Sequence, residues 1–343
     1  MKASVCQEPR KITIKDVKMP EPGDDEVLVK VKSSGISGSD VRAYLGKHPE
    51  VIYPVILGHE FSGEVAALGK DVEGFEIGDG VIVEPLLPCT ECKACSAGDY
   101  NLCSELVMTG YHVPGSFAEY AIARTGFVYP KGEFLSFDEA ALVEPLAVAV
   151  HAVRQARIGI GDTVIILGTG TIGLLAIQVA RKAGAKVLAT DLSNEKLHLA
   201  ASLGADYVMA GNTDEARQLV MAMTQDSGAD VVMECAGTPQ TLAQSVELVR
   251  KGGTILVVGW TGNELDSISL TGIAMNGIKL LGSTIYCRDF PTAIELAVSG
   301  DVNLNSMISH TSSLSKVGEA LEELSQGQHE IIKAMVRLQE QED

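Results

Sequence analysis

Thr163 to Leu167 is a short apolar run that passes directly into the pattern GxGxxG, formed by Gly168, Gly170 and Gly173, and then into a helical segment, Ile172 to Ala183. A strand, a glycine loop and a helix in that order commit the middle of the chain to an α/β fold. The first glycine makes the sharp turn, the second lets a ligand approach the backbone, and the third lets helix and strand pack closely. Thr171 and Ile172 open the helix, whose N-terminus favours an anion such as a pyrophosphate. Asp191 ends the next strand, where a carboxylate accepts hydrogen bonds from both hydroxyls of an adenosine ribose and repels a 2′-phosphate. The expected cofactor is therefore NAD rather than NADP, with Lys196 close enough to soften that preference. The competing role for Asp191 is an N-cap of the following helix.

The unit repeats. Lys186 to Thr190, Asn194 to Leu203, Asp230 to Glu234, Pro239 to Val249 and Thr254 to Val258 alternate strand and helix character, which implies a parallel sheet covered on both faces. The first third has another texture: Val27 to Lys32, Phe61 to Leu68, Gly80 to Glu84 and Phe117 to Ala123 are β-favouring stretches between glycine-rich turns, as in a barrel-like β domain. Beyond Lys279 to Ser283 come helical stretches at Pro291 to Val298 and Leu314 to Leu324, then a last β-like segment, Ala334 to Leu338. The expected organisation is a β-rich domain over 1–150, an α/β domain over 151–285, and a segment over 286–343 that packs back on the first.

Charge narrows the partners. With 27 Lys and Arg against 45 Asp and Glu, the net charge is -18, which repels nucleic-acid phosphates and anionic lipid. No stretch approaches the roughly 18 apolar residues of a membrane span, and Met1 to Lys11 has no apolar signal core. The expectation is a cytoplasmic protein that acts on a small molecule, with no nucleic-acid or membrane partner. Four of the seven cysteines, Cys89, Cys92, Cys95 and Cys103, follow the spacing CxxCxxCx7C, so one loop can wrap four thiolates around a single zinc. Four ligands leave that ion no open position, so its task is to hold the loop. Free thiols and an iron–sulfur cluster are the alternatives. Cys235 and Cys287 read as core fillers, and His48, His112 and His151 as polar core or surface groups rather than ligands.

His59 and Glu60 stand side by side in GHEFSGEVAALGKDV, Gly58 to Val72. This stretch, the four-cysteine loop, the segment VEPLAVAVHA from Val143 to Ala152, and GTGTIG together resemble the zinc-containing medium-chain alcohol and polyol dehydrogenases, the family of alcohol, sorbitol and threonine dehydrogenases. The resemblance covers nearly the whole chain and is nearest to the sorbitol-dehydrogenase branch, since Glu144 precedes Pro145 as in that group and IYCRDFP, Ile285 to Pro291, resembles its substrate-side segment. It implies a GroES-like catalytic domain, a Rossmann coenzyme domain and a substrate cleft between them. It further implies a homodimer or homotetramer, built through the strand at Lys279 to Ser283. The activity implied is hydride transfer between a secondary alcohol of a polyol or similar compound and NAD, assisted by a metal that favours loss of the alcohol proton. The resemblance puts His59 and Glu60 on a catalytic metal, Glu144 beside it either as an alternating ligand or as a group that supports the ligands from behind, and Ser39 at the hydroxyl that starts the proton relay. Tyr286 and Arg288 become candidates for substrate contacts.

Two positions depart from the family. Its first catalytic ligand is the cysteine of a GxCGSD motif, and here the chain reads Gly35, Ile36, Ser37, Gly38, Ser39, Asp40. A neutral serine hydroxyl holds zinc poorly where a thiolate holds it well. Three readings of Ser37 stay open: a deliberate cysteine-to-serine change, a natural variant that uses Glu60 and Glu144 around a harder metal, or a chain that has lost catalysis. Arg42 occupies the position where the family often has a relay histidine, and a guanidinium does not relay protons by titrating. Arg42 is thus either a contact for an anionic part of substrate or cofactor, or a solvent-exposed arginine. The competing functions are a cofactor-binding protein without turnover, an amino-alcohol or sugar-phosphate dehydrogenase, and a zinc-independent quinone-reductase relative. The last fits poorly because such relatives generally lack the GHE pair and the cysteine loop.

Overall fold

The computed structural model describes residues 1–211, 214–260, 268–327 and 331–338. The chain divides into two compact units, Met1–Glu144 with Leu304–Asp343, and Pro145–Asn303. These limits differ from the boundaries drawn at 150 and 285. The helix Val143–Gln155 starts at the first junction. The helix Phe290–Val298 stays in the second unit because Asp289, fully buried at its start, bonds His151 Nδ1 at 2.8 Å and pairs with Arg154 at 2.5 Å. Only the chain from Leu304 onward returns to the first unit.

In the first unit, the long strand Glu26–Ile36 is the organising element. It pairs antiparallel with Glu60–Leu68 on one side and with Lys333–Arg337 on the other, while Tyr120–Arg124 joins its first half. Gly80–Val83 and Val128–Pro130 extend the sheet beyond Glu60–Leu68, and Ile308–Ser313 extends it, parallel, beyond Lys333–Arg337. Alternate residues Val27, Val29 and Val31 are buried against Phe61 and Val81, a period-two pattern that turns one face of the sheet inward. Each such side chain contributes about 1.5–3 kcal/mol by leaving water. The register matters most at one end. Gly35 lies opposite Glu60 across one ladder and opposite Met335 across the other, so Glu60 and the neighbouring Lys333 converge on the same short piece of backbone. A Cβ at Gly35 would sit 2.0 Å from Glu60 Oε2, so no other residue fits without displacing that carboxylate.

The second unit is a six-stranded parallel sheet. Its order is Tyr207–Ala210, Lys186–Asp191, Thr163–Leu167, Ala229–Glu234, Val249–Val257, Lys279–Gly282. The strand first in sequence lies in the middle and the order reverses there, which is the doubly wound arrangement with its ligand crevice at the carboxyl ends of the strands. Ile165, Leu167, Leu188, Val232 and Ile255 are buried in its core. Among the described residues no helix is long and apolar enough to cross a membrane.

Candidate functional site

The glycine loop comes first because its geometry follows from the sheet. Gly168 has φ +95°, and a Cβ there would meet the Ala236 amide nitrogen at 2.7 Å; a Cβ at Gly173 would meet the Gly168 carbonyl oxygen at 2.0 Å. Both glycines are thus required by backbone crowding. Gly170 is different: nothing lies within 4 Å of where its Cβ would be, so the loop is open there to an approaching ligand. Gly170 also caps the helix Thr171–Lys182 without a side chain, with Thr171 and Ile172 half-exposed at the same lip. Asp191 does not cap the next helix, a task taken by Ser193. Its Oδ2 accepts Thr169 N–H at 2.7 Å and Thr169 Oγ1–H at 2.9 Å, and its Oδ1 accepts Ser193 N–H at 3.0 Å. A carboxylate accepts about four hydrogen bonds. One acceptor direction at Oδ1 therefore remains, where the sequence suggested acceptance from both ribose hydroxyls.

In the first unit, the sulfur atoms of Cys89, Cys92, Cys95 and Cys103 all lie within 4.8 Å of one another, with Cys89 and Cys95 at 4.0 Å. A tetrahedron of 2.3 Å zinc–sulfur bonds needs sulfurs about 3.8 Å apart. The four residues fit a zinc. Backbone N–H groups already point at them: Cys89 N to Cys103 Sγ and Cys92 N to Cys89 Sγ, both 3.3 Å, and Glu105 N to Cys103 Sγ, 3.4 Å. Amides of Cys95 and Ser104 draw the Cys92 thiol down to about 6. Tyr100, within the loop, donates to the buried Glu84 at 2.7 Å, and Tyr129 donates to the other oxygen at 2.9 Å, which ties the loop to the main sheet.

A second group forms where the strand Glu26–Ile36 ends. Ligand atoms of His59, Glu60 and Glu144 come within 4.8 Å of one another, and all three residues are buried. Asp40, fully buried on the short helix Gly38–Tyr44, faces His59 Nδ1 at 3.6 Å and accepts Gly58 N–H at 3.2 Å. Burial works to raise the Asp40 pKa, but the facing imidazole and the Ser37 donors outweigh it and hold the carboxyl below its ordinary range. Burial similarly opposes a charged His59, and Asp40, Glu144 and Glu60 together outweigh it, raising the imidazole to about 9. Lys333, equally buried, pairs with Glu60 and donates to the Ile36 carbonyl at 3.1 Å. Once a metal displaces the His59 proton, the four side chains Asp40, Glu60, Glu144 and Lys333 carry a net charge of −2, the complement of one divalent cation in a site that excludes water. His59 Nδ1 has no hydrogen-bond partner within the protein. These residues fit a metal.

The remaining expected residues are distributed differently. Ser37 N-caps the helix Gly38–Tyr44 in a capping box with Asp40, and Ser39 lies 2.8 Å from it. Arg42 is half-buried on the same helix. Tyr286 and Arg288 lie in the second unit; the Tyr286 ring is buried against Phe290, while Arg288 is exposed with φ +62°. Lys196 is half-buried beside the Ser193 cap. Cys235 and Cys287 are half-buried rather than core residues.

Two family models match, "Alcohol dehydrogenase GroES-like domain" over residues 23–133 and "Zinc-binding dehydrogenase" over residues 171–299. The sorbitol dehydrogenase of Bacillus subtilis is 36% identical over 98% of this chain and 97% of its own. The chain belongs to the zinc-type medium-chain alcohol and polyol dehydrogenases. The D-arabitol-phosphate dehydrogenase of Enterococcus avium is 35% identical over 94% of this chain and 92% of its own. A crystal structure of an Escherichia coli oxidoreductase/dehydrogenase of unknown specificity superposes with a TM-score of 0.94 at 32% identity, covering 99% of both chains. As a zinc-type medium-chain dehydrogenase, this protein is an oxidoreductase built from a GroES-like domain and a Rossmann-type parallel-sheet domain. Sequence reasoning missed three residues at the His59 cluster: Asp40, Lys333 and Tyr111, whose ring centroid lies 5.1 Å from that of His59. Asp40 had a usable signal in the Ser37-x-x-Asp40 spacing of a capping box. Lys333 and Tyr111 had none, since each reaches the site through strand register or a loop rather than a local pattern.

Proposed function

We propose that the protein oxidises a secondary alcohol of a polyol or polyol phosphate with NAD, and that His59, Glu60 and Glu144 hold the metal that assists the reaction. The buried convergence of those three residues, with a matching charge deficit, carries the reading. When bound, a divalent metal lowers the pKa of an oxygen it holds, for water from about 16 to about 7. The protein's own groups do the rest. Asp40 orients the His59 ring, and Lys333 fixes the Glu60 carboxylate. Ser39 accepts a hydrogen bond from the substrate hydroxyl and starts the relay that carries its proton away. The open backbone at Gly170 and the helix start at Thr171 take the pyrophosphate, and the free side of Asp191 takes a ribose hydroxyl. Arg42 and Arg288 are cations that could meet an anionic group on substrate or cofactor. The four cysteines hold a structural zinc, and thiols kept for a metal favour the reducing cytoplasm.

A spectrophotometric assay of sugar alcohols and their phosphates with NAD and NADP tests this reading. NADH formation is expected with at least one of them, with NAD bound tighter than NADP, and Asp191→Ser should narrow that gap. Equal use of both cofactors by the unaltered protein would remove Asp191 as the selector.

The same reading includes a homodimer or homotetramer. Lys279–Gly282 is the last strand of the parallel sheet, with Leu280 42% exposed, and the preceding helix Leu270–Asn276 exposes Leu270 at 75% and Met275 at 82%. An uncovered apolar sheet edge favours pairing with a second copy. Light scattering at micromolar concentration should give twice or four times the chain mass; a monomer would contradict it.

A further inference from the structure

Ser37 stands where the family has a ligand cysteine, and its surroundings give it other work. Its Oγ–H donates to Asp40 Oδ2 at 2.7 Å, and its oxygen accepts the Asp40 N–H at 3.0 Å. The third contact is Ser39 Oγ at 2.8 Å, where geometry alone allows either oxygen to donate. A hydroxyl has one proton and two acceptor directions. The Ser37 proton is already on Asp40, so Ser39 is the donor. Ser39 in turn accepts the Tyr111 hydroxyl proton at 2.5 Å. All three protons therefore point one way, from Tyr111 to Ser39 to Ser37 to Asp40. The row ends on a carboxylate with no solvent exposure that also faces His59.

The two serines are left in different states. Ser37 has no acceptor direction left for a metal. Ser39 has one left, because its proton is committed inward and Tyr111 occupies one side of its oxygen. The residue that imposes this is held firmly: the Tyr111 ring is 5% exposed, with the His48 ring centroid 4.4 Å away and the His59 ring centroid 5.1 Å away. We propose that Ser37 is not a metal ligand but an inner link of a hydrogen-bonded row, and that Tyr111 is a positioning residue that locks the Ser39 hydroxyl as the acceptor of the substrate hydroxyl's hydrogen bond. The inference about Tyr111 rests on Ser39 taking the substrate hydroxyl's hydrogen bond in the proposed reaction. The inference about Ser37 rests on hydrogen-bond capacity alone.

The two parts are tested separately. For Ser37, cobalt(II) is loaded into zinc-retaining protein and its visible d–d bands are compared between the unaltered chain and Ser37→Ala. Unchanged band positions and cobalt per chain are expected; a shifted spectrum or loss of a bound cobalt would show that Ser37 is a ligand. Should the alanine variant fail to fold, Ser37→Gly, a residue tolerated at an N-cap, also removes the hydroxyl and must keep the spectrum. For Tyr111, Tyr111→Phe retains the ring and removes only the hydroxyl. Its kcat should fall about tenfold with KM within about twofold, the size of one lost hydrogen bond that acts in the chemical step. Ser37→Ala should lower kcat similarly, and the double variant should be no more than about twofold worse than the poorer single variant, because both cut one row. An unaltered kcat in Tyr111→Phe, or losses that multiply, would overturn the positioning role. A wild-type protein that reduces no NAD with any sugar alcohol would count against the proposed function, and the cobalt spectra would still decide the place of Ser37.

Discussion

Lys333→Met should destabilise the unit formed by Met1–Glu144 and Leu304–Asp343 by about 3–5 kcal/mol, one of the largest losses expected from any single substitution outside the cysteine loop. Lys333 and Glu60 are both almost fully buried, and methionine matches the volume of the lysine stem while removing its charge. The cost comes from what is left behind. Glu60 would be an uncompensated carboxylate next to Asp40 and Glu144, and the Ile36 carbonyl would lose its donor at 3.1 Å. Urea unfolding followed by far-UV circular dichroism gives the measurement. Adding Glu60→Leu should recover most of the loss, since replacing both partners of a buried pair by apolar groups is close to neutral. A single-variant loss under about 1 kcal/mol would mean that water reaches the pair.

Cys103→Ser should remove about one zinc per chain and destabilise the loop it closes. Four thiolates saturate the ion, and binding free energy at such structural sites is folding free energy. Cys103 is the most enclosed of the four and accepts two backbone N–H groups, from Cys89 and Glu105, bonds that the shorter serine side chain would have to remake. Turnover per folded molecule should stay within about threefold, because this zinc has no position for substrate. Acid should release the same zinc, since ligand thiolates bind protons as pH falls through their pKa values and protonated sulfur does not hold the metal. Metal analysis that finds zinc retained in the variant, or an iron–sulfur absorption band in the unaltered protein, would overturn the assignment.

Much of this architecture was legible because its determinants are local. Thr163–Leu167 is a strand with the bounds its apolar run suggested, and the glycine loop, the cysteine spacing and the adjacent His59 and Glu60 are each set within a few residues. What escaped depends on register across distant strands. The hairpin Lys2–Glu8 with Lys11–Asp16 carries exposed charged residues on its second strand, so its alternation reads as surface loop. The strand Ile308–Ser313 is half polar, and only its pairing with Lys333–Arg337 makes it part of the sheet. Lys333 itself opens a segment, KAMVR, whose first lysine looks like an ordinary strand-end charge. Its burial follows from a ladder that places it beside Gly35, and no nearby residue announces that. Ser37 shows the opposite case, where the local motif suggested a damaged ligand and the full set of hydrogen bonds shows an intact helix cap.

The Glu60–Lys333 pairing also sets an order of events on the ribosome. Glu60 emerges early, but its cation lies in the return segment that follows the whole of Pro145–Asn303. At about 5–20 residues per second, the carboxylate waits roughly 14 to 55 s before its partner is synthesised. Until then the strand Glu26–Ile36 has one open edge, along Ser33 to Ile36, which Lys333–Arg337 will later cover. The nascent first domain is thus a sheet with an unpaired edge and an unneutralised acid beside it. That charge disfavours burial of the edge against another chain until Lys333 arrives with its own strand.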